Sequence, residues 1–160
     1  MIYLKTDEEV ELMRRSNDLL GRTLAEVAKV IRPGVTTAEL DKVAYEFICD
    51  NGGIPSCLGY EGYPATLCTS VNEQVVHGIP SDKVILKDGD IVSVDTVVKL
   101  GGFCADSAYT FPVGEVAPEV LQLMRTTKQA LYLGIEQAIT GRRLGDIGAV
   151  IQQHCERAGY

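Results

Sequence analysis

Apolar residues recur at helical spacing along the first thirty positions: Val10, Met13, Leu20, Leu24, Val27 and Ile31. Thr6 followed by Glu9 opens that run with a capping-box pattern, and Pro33-Gly34 ends it. Thr36 and Glu39 repeat the start signal. Leu40, Val43, Ala44, Phe47 and Ile48 then predict a second helix, which stops at Gly52-Gly53. From Ile54 to Phe111 the period changes, and short β-prone segments alternate with turn residues. Strand is predicted over Ala65 to Val71, over Val75 to Ile79, and in a hairpin from Ile91 to Phe111 after the Lys87-Asp88-Gly89-Asp90 turn. Pro118 suits the first turn of a third helix running toward Thr140 and stopping at Gly141. A fourth helix covers Leu144 to Ala158, with Gly159 as its cap.

An internal repeat lies within this pattern. VTTAELDKV follows Gly34 and RRLGDIGAV follows Gly141, with Glu39 and Asp146, then Val43 and Val150, at matching offsets. Gly52 and Gly159 fall equally far along. Each copy reads as a long helix, a glycine break and a shorter helix, although two helical hairpins can also match by chance. The first copy continues into strands. The second stops at Tyr160, so the chain is expected to be a piece or a reduced form of a two-fold architecture.

The hairpin, IVSVDTVVKLGGFCADSAYTF, carries an aspartate in each strand. A turn at Leu100-Gly101 pairs Lys99 with Gly102, Val97 with Cys104, and Asp95 with Asp106; a bulge at Gly101-Gly102 would alter this register. Opposed carboxylates on one sheet face repel, and burial adds to the cost of ionising both. A shared proton, a basic side chain or a divalent cation would relieve them. Lys99 lies four positions along the strand and bridges poorly, whereas one or two cations fit well. Solvent exposure is the alternative, but the flanks IVSVD and FCADSAYTF are too apolar for a freely solvated ribbon.

Just before the hairpin, SCLGYEGYPATLCTSVNEQVVHGIP gathers Cys57, Tyr60, Tyr63 and Cys68 near His77. Thiols and aromatic faces suit a snug apolar pocket for a thioether, and the imidazole of His77 could hydrogen-bond a reacting group. Each residue taken singly is more often structural. His154 sits on a helix with no chemistry beside it.

Composition narrows the partners. The 160 residues are 46% hydrophobic and 23% charged, with a net charge of −7. That balance argues against a nucleic-acid partner gripped through its phosphates. Five cysteines without CxxC spacing read as reduced thiols of a cytoplasmic protein. MIYLKTDEEV has no apolar leader, and no run is long enough for a membrane span.

CLGYEGYPATLCTSVNEQVVHGIP, two aspartates eleven residues apart, and ADSAYTF together resemble the type I methionine aminopeptidases, over essentially the whole chain. The resemblance implies an α+β pita-bread (creatinase/aminopeptidase-like) fold. Residues 1–160 would form one incomplete domain, with the first α/β repeat over 1–114 and the start of the second over 115–160. It implies removal of the initiator methionine from nascent polypeptides at a dinuclear centre of cobalt, manganese, iron or zinc. On that resemblance Asp95 and Asp106 match metal ligands, the second a bridging one. His77 matches a histidine that hydrogen-bonds substrate near the scissile bond, and Cys57, Tyr60, Tyr63 and Cys68 match the lining of the methionine pocket. Many members carry His-Gly before the second aspartate, where this chain has Cys104-Ala105. The family's remaining ligands, a histidine and two glutamates, and a second substrate-contacting histidine fall beyond the position of Tyr160. The chain alone is therefore expected to bind metal weakly, to be a poor peptidase, and to self-associate through an uncovered sheet surface. The alternative is a non-catalytic pita-bread half-domain that binds peptides or a partner protein.

Overall fold

The computed structural model describes residues 2–160 and divides the chain into two compact units, 1–115 and 116–160. The first is α+β. Helices α1 (Asp7–Val30) and α2 (Thr37–Asp50) precede four antiparallel strands: β1 (Ile54–Pro55), β2 (Leu67–Val71), β3 (Ile91–Leu100) and β4 (Phe103–Pro112). β3 is the central strand. It pairs with β1 and β2 along one edge and with β4 along the other.

Both helices begin as the capping pattern predicts. Thr6 Oγ1 accepts from the Glu9 N–H while Glu9 returns to the Thr6 N–H, and Thr36 and Glu39 do the same. α1 ends at Val30, three residues short of Pro33, because a proline ring clashes with the preceding helical turn. α2 ends at Asp50 and is capped by Gly52, whose φ of +74° closes a Schellman turn: the Gly53 N–H reaches Ile48 O at 2.9 Å. The helices lie on one face of the sheet. Along β3 the side chains alternate: Val92, Val94, Thr96 and Val98 are fully buried beneath the helices, whereas Ser93, Asp95 and Val97 on the other face are half-buried. Leu40, Ala44, Leu67, Val92, Val94 and Val113 form one core cluster; Leu19, Leu20, Ile48 and Val98 form the second.

Two strand expectations are corrected. The hairpin turns at Gly101-Gly102, with φ of +60° and +90°, and Leu100 pairs with Phe103. This is a two-residue turn that demands left-handed backbone at both centres, and two consecutive glycines supply it without steric cost. The register shifts accordingly. Asp95 pairs with Ala108, and Asp106 with Val97, so the two aspartates are not directly opposed. The Val75 to Ile79 segment is not a strand. It forms an irregular strap over residues 72–80, with Val75, Val76 and Ile79 exposed. Left-handed backbone at Asn72 (φ +52°) and His77 (φ +58°) breaks the extended geometry a strand needs.

The second unit is a helical hairpin of α3 (Pro118–Glu136) and α4 (Leu144–Arg157). α3 ends four residues before Thr140, where bonds from Gln137 N–H to Gly134 O and from Ala138 N–H to Ile135 O tighten the last turn. Gly134 lets α4 approach: a Cβ there would stand 2.8 Å from Ile151 Cδ1. Gly159 (φ +87°) ends α4 in the same Schellman geometry as Gly52, with the Tyr160 N–H on Cys155 O at 3.0 Å.

Candidate functional site

β3 brings the candidate residues to its half-buried face. Cys68 on β2 and Ala108 on β4 flank Asp95, and Val97, two positions along, pairs with Asp106. Because side chains alternate with a period of two, Cys68, Asp95 and Asp106 share one face. The aspartates are diagonal neighbours, a relation that sets Cα atoms about 7–8 Å apart. Burial is the main influence on Asp95 and holds its pKa above the usual carboxylate range; the charge of Asp106 adds to this, and His77 opposes it.

Cys57 follows Ser56, whose N–H donates to Val97 O at 2.8 Å and so ties the segment after β1 to β3. Its thiol is raised by burial first, then by Cys68, Asp95 and Asp106. Cys68 is raised by burial and by the same two aspartates. Burial and the two aspartates thus act on both thiols in the same direction.

Tyr63 joins them as a clamp. Its hydroxyl lies 3.0 Å from Leu67 O and 3.4 Å from Gly78 O, and burial holds the phenol protonated well beyond its ordinary range. Tyr60, in a short 3₁₀ turn over Tyr60–Gly62, is 69% exposed.

His77 is held by its neighbour. The Thr69 N–H donates to Gly78 O at 2.7 Å, and the Gly78 N–H donates to Ser70 Oγ at 3.2 Å. A side chain at Gly78 would drive into the Thr69 carbonyl. The strap thus lies against the free edge of β2, with His77 exposed and in left-handed backbone. Sequence reasoning passed over three contributors to this edge: Gly78, Ser70, and Asp41 on α2. Gly78 had a readable signal, a glycine directly after the histidine; Asp41 on the polar side of an amphipathic helix had none.

Residues 11–160 match metallopeptidase family M24. The chain belongs to that family. Over 160 residues it is 46% identical to a methionine aminopeptidase of Clostridium acetobutylicum, covering 100% of this chain and 64% of that protein. The crystal structure of methionine aminopeptidase from Rickettsia prowazekii superposes with a TM-score of 0.97 at 39% identity, covering 100% of this chain and 64% of that one. The fold alone extends to an Xaa-Pro dipeptidase from Bacillus anthracis, at TM-score 0.81 and 21% identity, covering 98% of this chain and 42% of that one. The architecture is the α+β pita-bread fold of M24 proteins. The chain spans about 64% of the length of the curated relatives it matches.

Membership in M24, a metallopeptidase family, implies divalent metal ions. Two carboxylates on one sheet face are hard oxygen donors, and their mutual repulsion is relieved by a cation between them. Among the described residues no group of three or more His, Cys, Asp or Glu converges on one point. Asp95 and Asp106 would therefore supply only part of a cation's ligand set. No helix among the described residues is long and apolar enough to cross a membrane.

Proposed function

We propose that this chain carries part of the site of a cytoplasmic methionine aminopeptidase, acting on the N-terminal methionine of nascent polypeptides. The observation that carries the reading is the shared face of Asp95 and Asp106, with the thiol of Cys68 on the same face, in a chain 46% identical to a methionine aminopeptidase. Asp95 and Asp106 would hold a pair of divalent ions, with iron, manganese, cobalt and zinc all compatible with their oxygens. Bound there, the ions would supply a water of lowered pKa and polarise the scissile carbonyl.

The remaining work falls to the chain's own groups. Cys57 and Cys68, protonated at neutral pH, present polarisable and uncharged surface to a thioether. Tyr63 closes that surface by clamping Leu67 and Gly78, and Tyr60 would line its open side. Selectivity for methionine rests on excluding bulky or charged side chains as much as on attraction, since each methylene adds little. His77, exposed on the strap, would hydrogen-bond the substrate beside the scissile bond.

With two carboxylates only, slow hydrolysis and weak metal affinity are expected of the 160-residue chain. Self-association is expected through β4, a ten-residue strand paired, among the described residues, with β3 alone. The test is manganese-dependent release of methionine from a Met-Ala-Ser peptide, with Asp95→Asn and Asp106→Asn alongside. Slow release abolished by either substitution supports the reading. Release that survives both, or no calorimetric binding of manganese by the parent, overturns it.

A further inference from the structure

The outer edge of β2 is closed by a side chain that no part of the proposed chemistry uses. β2 pairs with β3 on one side only, so its outward backbone groups need other partners. The Thr69 N–H finds Gly78 O. The Thr66 and Leu67 N–H groups both point to one oxygen, Oδ1 of Asp41, at 2.9 and 2.7 Å. The carbonyls are answered from elsewhere: Thr96 Oγ1 donates to Thr66 O at 2.9 Å, and the Tyr63 hydroxyl meets Leu67 O. Every backbone polar group of Thr66 and Leu67 named here is thus held by a side chain. Cys68 and its neighbour Asp95 follow immediately.

We propose that Asp41 is a positioning residue for this site: reaching from α2, its carboxylate fixes the start of β2 and so the placement of Cys68 and of the Tyr63–Gly78 clamp that carries His77. The inference rests on the aminopeptidase reading only for what the site does, not for the geometry. The physical reason is the acceptor type. A single carboxylate oxygen receiving two adjacent N–H groups makes charge-assisted bonds, shorter and stronger than those to a neutral acceptor. Here a helix side chain supplies the acceptor that a neighbouring strand would otherwise provide. Asp41 is half-buried, and burial pushes its pKa up while the two amides pull it down.

The test reads the edge directly, without activity. Rates of iodoacetamide reaction are measured residue by residue by mass spectrometry in the parent and in Asp41→Ala, Asp41→Asn and Asp41→Glu. Cys68 is buried and reacts through local opening, so its rate reports how often the edge opens. Asp41→Ala is expected to speed Cys68 by about tenfold while Cys49 and Cys155 keep their rates. Asp41→Asn, which keeps an acceptor oxygen, should restore the rate to within about threefold of the parent. A general loss of structure would instead raise the rates of Cys68 and Cys155 together, and that result overturns the proposal, as does an unchanged Cys68. Should Asp41→Ala fail to fold, amide hydrogen exchange on the unaltered protein decides: Leu67 protected as well as Val94 supports the proposal, and fast exchange at Leu67 refutes it. Where methionine release is measurable, Asp41→Ala should raise KM more than it lowers kcat. Absence of any methionine release would sink the aminopeptidase reading and leave the alkylation and exchange results standing.

Discussion

Gly78→Ala isolates the docking of the strap. Gly78 has φ outside the left-handed region, so alanine meets no backbone penalty there. The obstacle is contact alone: the added Cβ overlaps the Thr69 carbonyl oxygen and stands 2.8 Å from its carbon and 3.0 Å from Ser70 Cα. Those atoms belong to β2, which is pinned to β3, so the strap must move away. Moving away breaks Thr69 N–H to Gly78 O at 2.7 Å and Gly78 N–H to Ser70 Oγ at 3.2 Å, and loosens two long hydroxyl contacts at 3.4 Å. At about 1 kcal/mol for each of the two good bonds, and less for the long ones, the loss is about 2–3 kcal/mol. The loss stops there because the strap carries little of the core; Val75, Val76 and Ile79 are already exposed. Urea titration should therefore show a lowered midpoint with an unchanged slope. Hydrogen exchange should accelerate at Thr69 and stay slow at Val94. A midpoint within about 0.5 kcal/mol of the parent, with Thr69 still protected, would refute the reasoning, since surface changes without a packing role fall in that range.

Other substitutions separate charge from packing. Asp95→Asn removes one of two like charges on the same sheet face, worth at most about 1 kcal/mol where water screens the pair. It should raise the stability of the metal-free protein slightly and abolish stabilisation by manganese, both read by urea unfolding with and without chelator; a variant still stabilised by manganese counts against the shared site. Tyr63→Phe removes the donor to Leu67 O and should cost about 0.5–1.5 kcal/mol in the same assay, with no cost if the hydroxyl is merely solvated. The thiols predict an alkaline loss. Burial holds Cys57 and Cys68 above the ordinary thiol value of 9.0, so above that pH the unfolded chain ionises first and the native state binds more protons. Their contribution is fully present below that value and falls as pH rises through 9.0 toward the native thiols' own ionisation. Unfolding at pH 7.5, 9 and 10 should show this decline, and a Cys57→Ser/Cys68→Ser variant should lose it over that window; an equal decline in both proteins would refute the assignment.

Local devices could be read directly from the chain. The capping boxes at Thr6 and Thr36 and the glycine caps at Gly52 and Gly159 each bind atoms three to five residues apart, and Pro118 acts through its own fixed φ, so neighbouring residue types suffice to specify them. The presence of a hairpin after Ile91 was legible for the same reason. Its register was not: two glycines and a leucine allow several turns, and the choice of Gly101-Gly102 moved Asp106 from Asp95 to Val97. The aspartates still share a face, because a shift of two in the pairing preserves the period of the strand. What only the tertiary structure decided is the edge of β2. Asp41 lies far earlier in the chain than the amides it holds, and Tyr63 is bound through its hydroxyl to Leu67 as well as facing the cluster. The strap looked like a strand because Val75, Val76 and Ile79 are apolar, yet left-handed turns at Asn72 and His77 keep it irregular. Side-chain bonds to a distant backbone leave no period in a sequence; only folding brings their atoms within reach of one another.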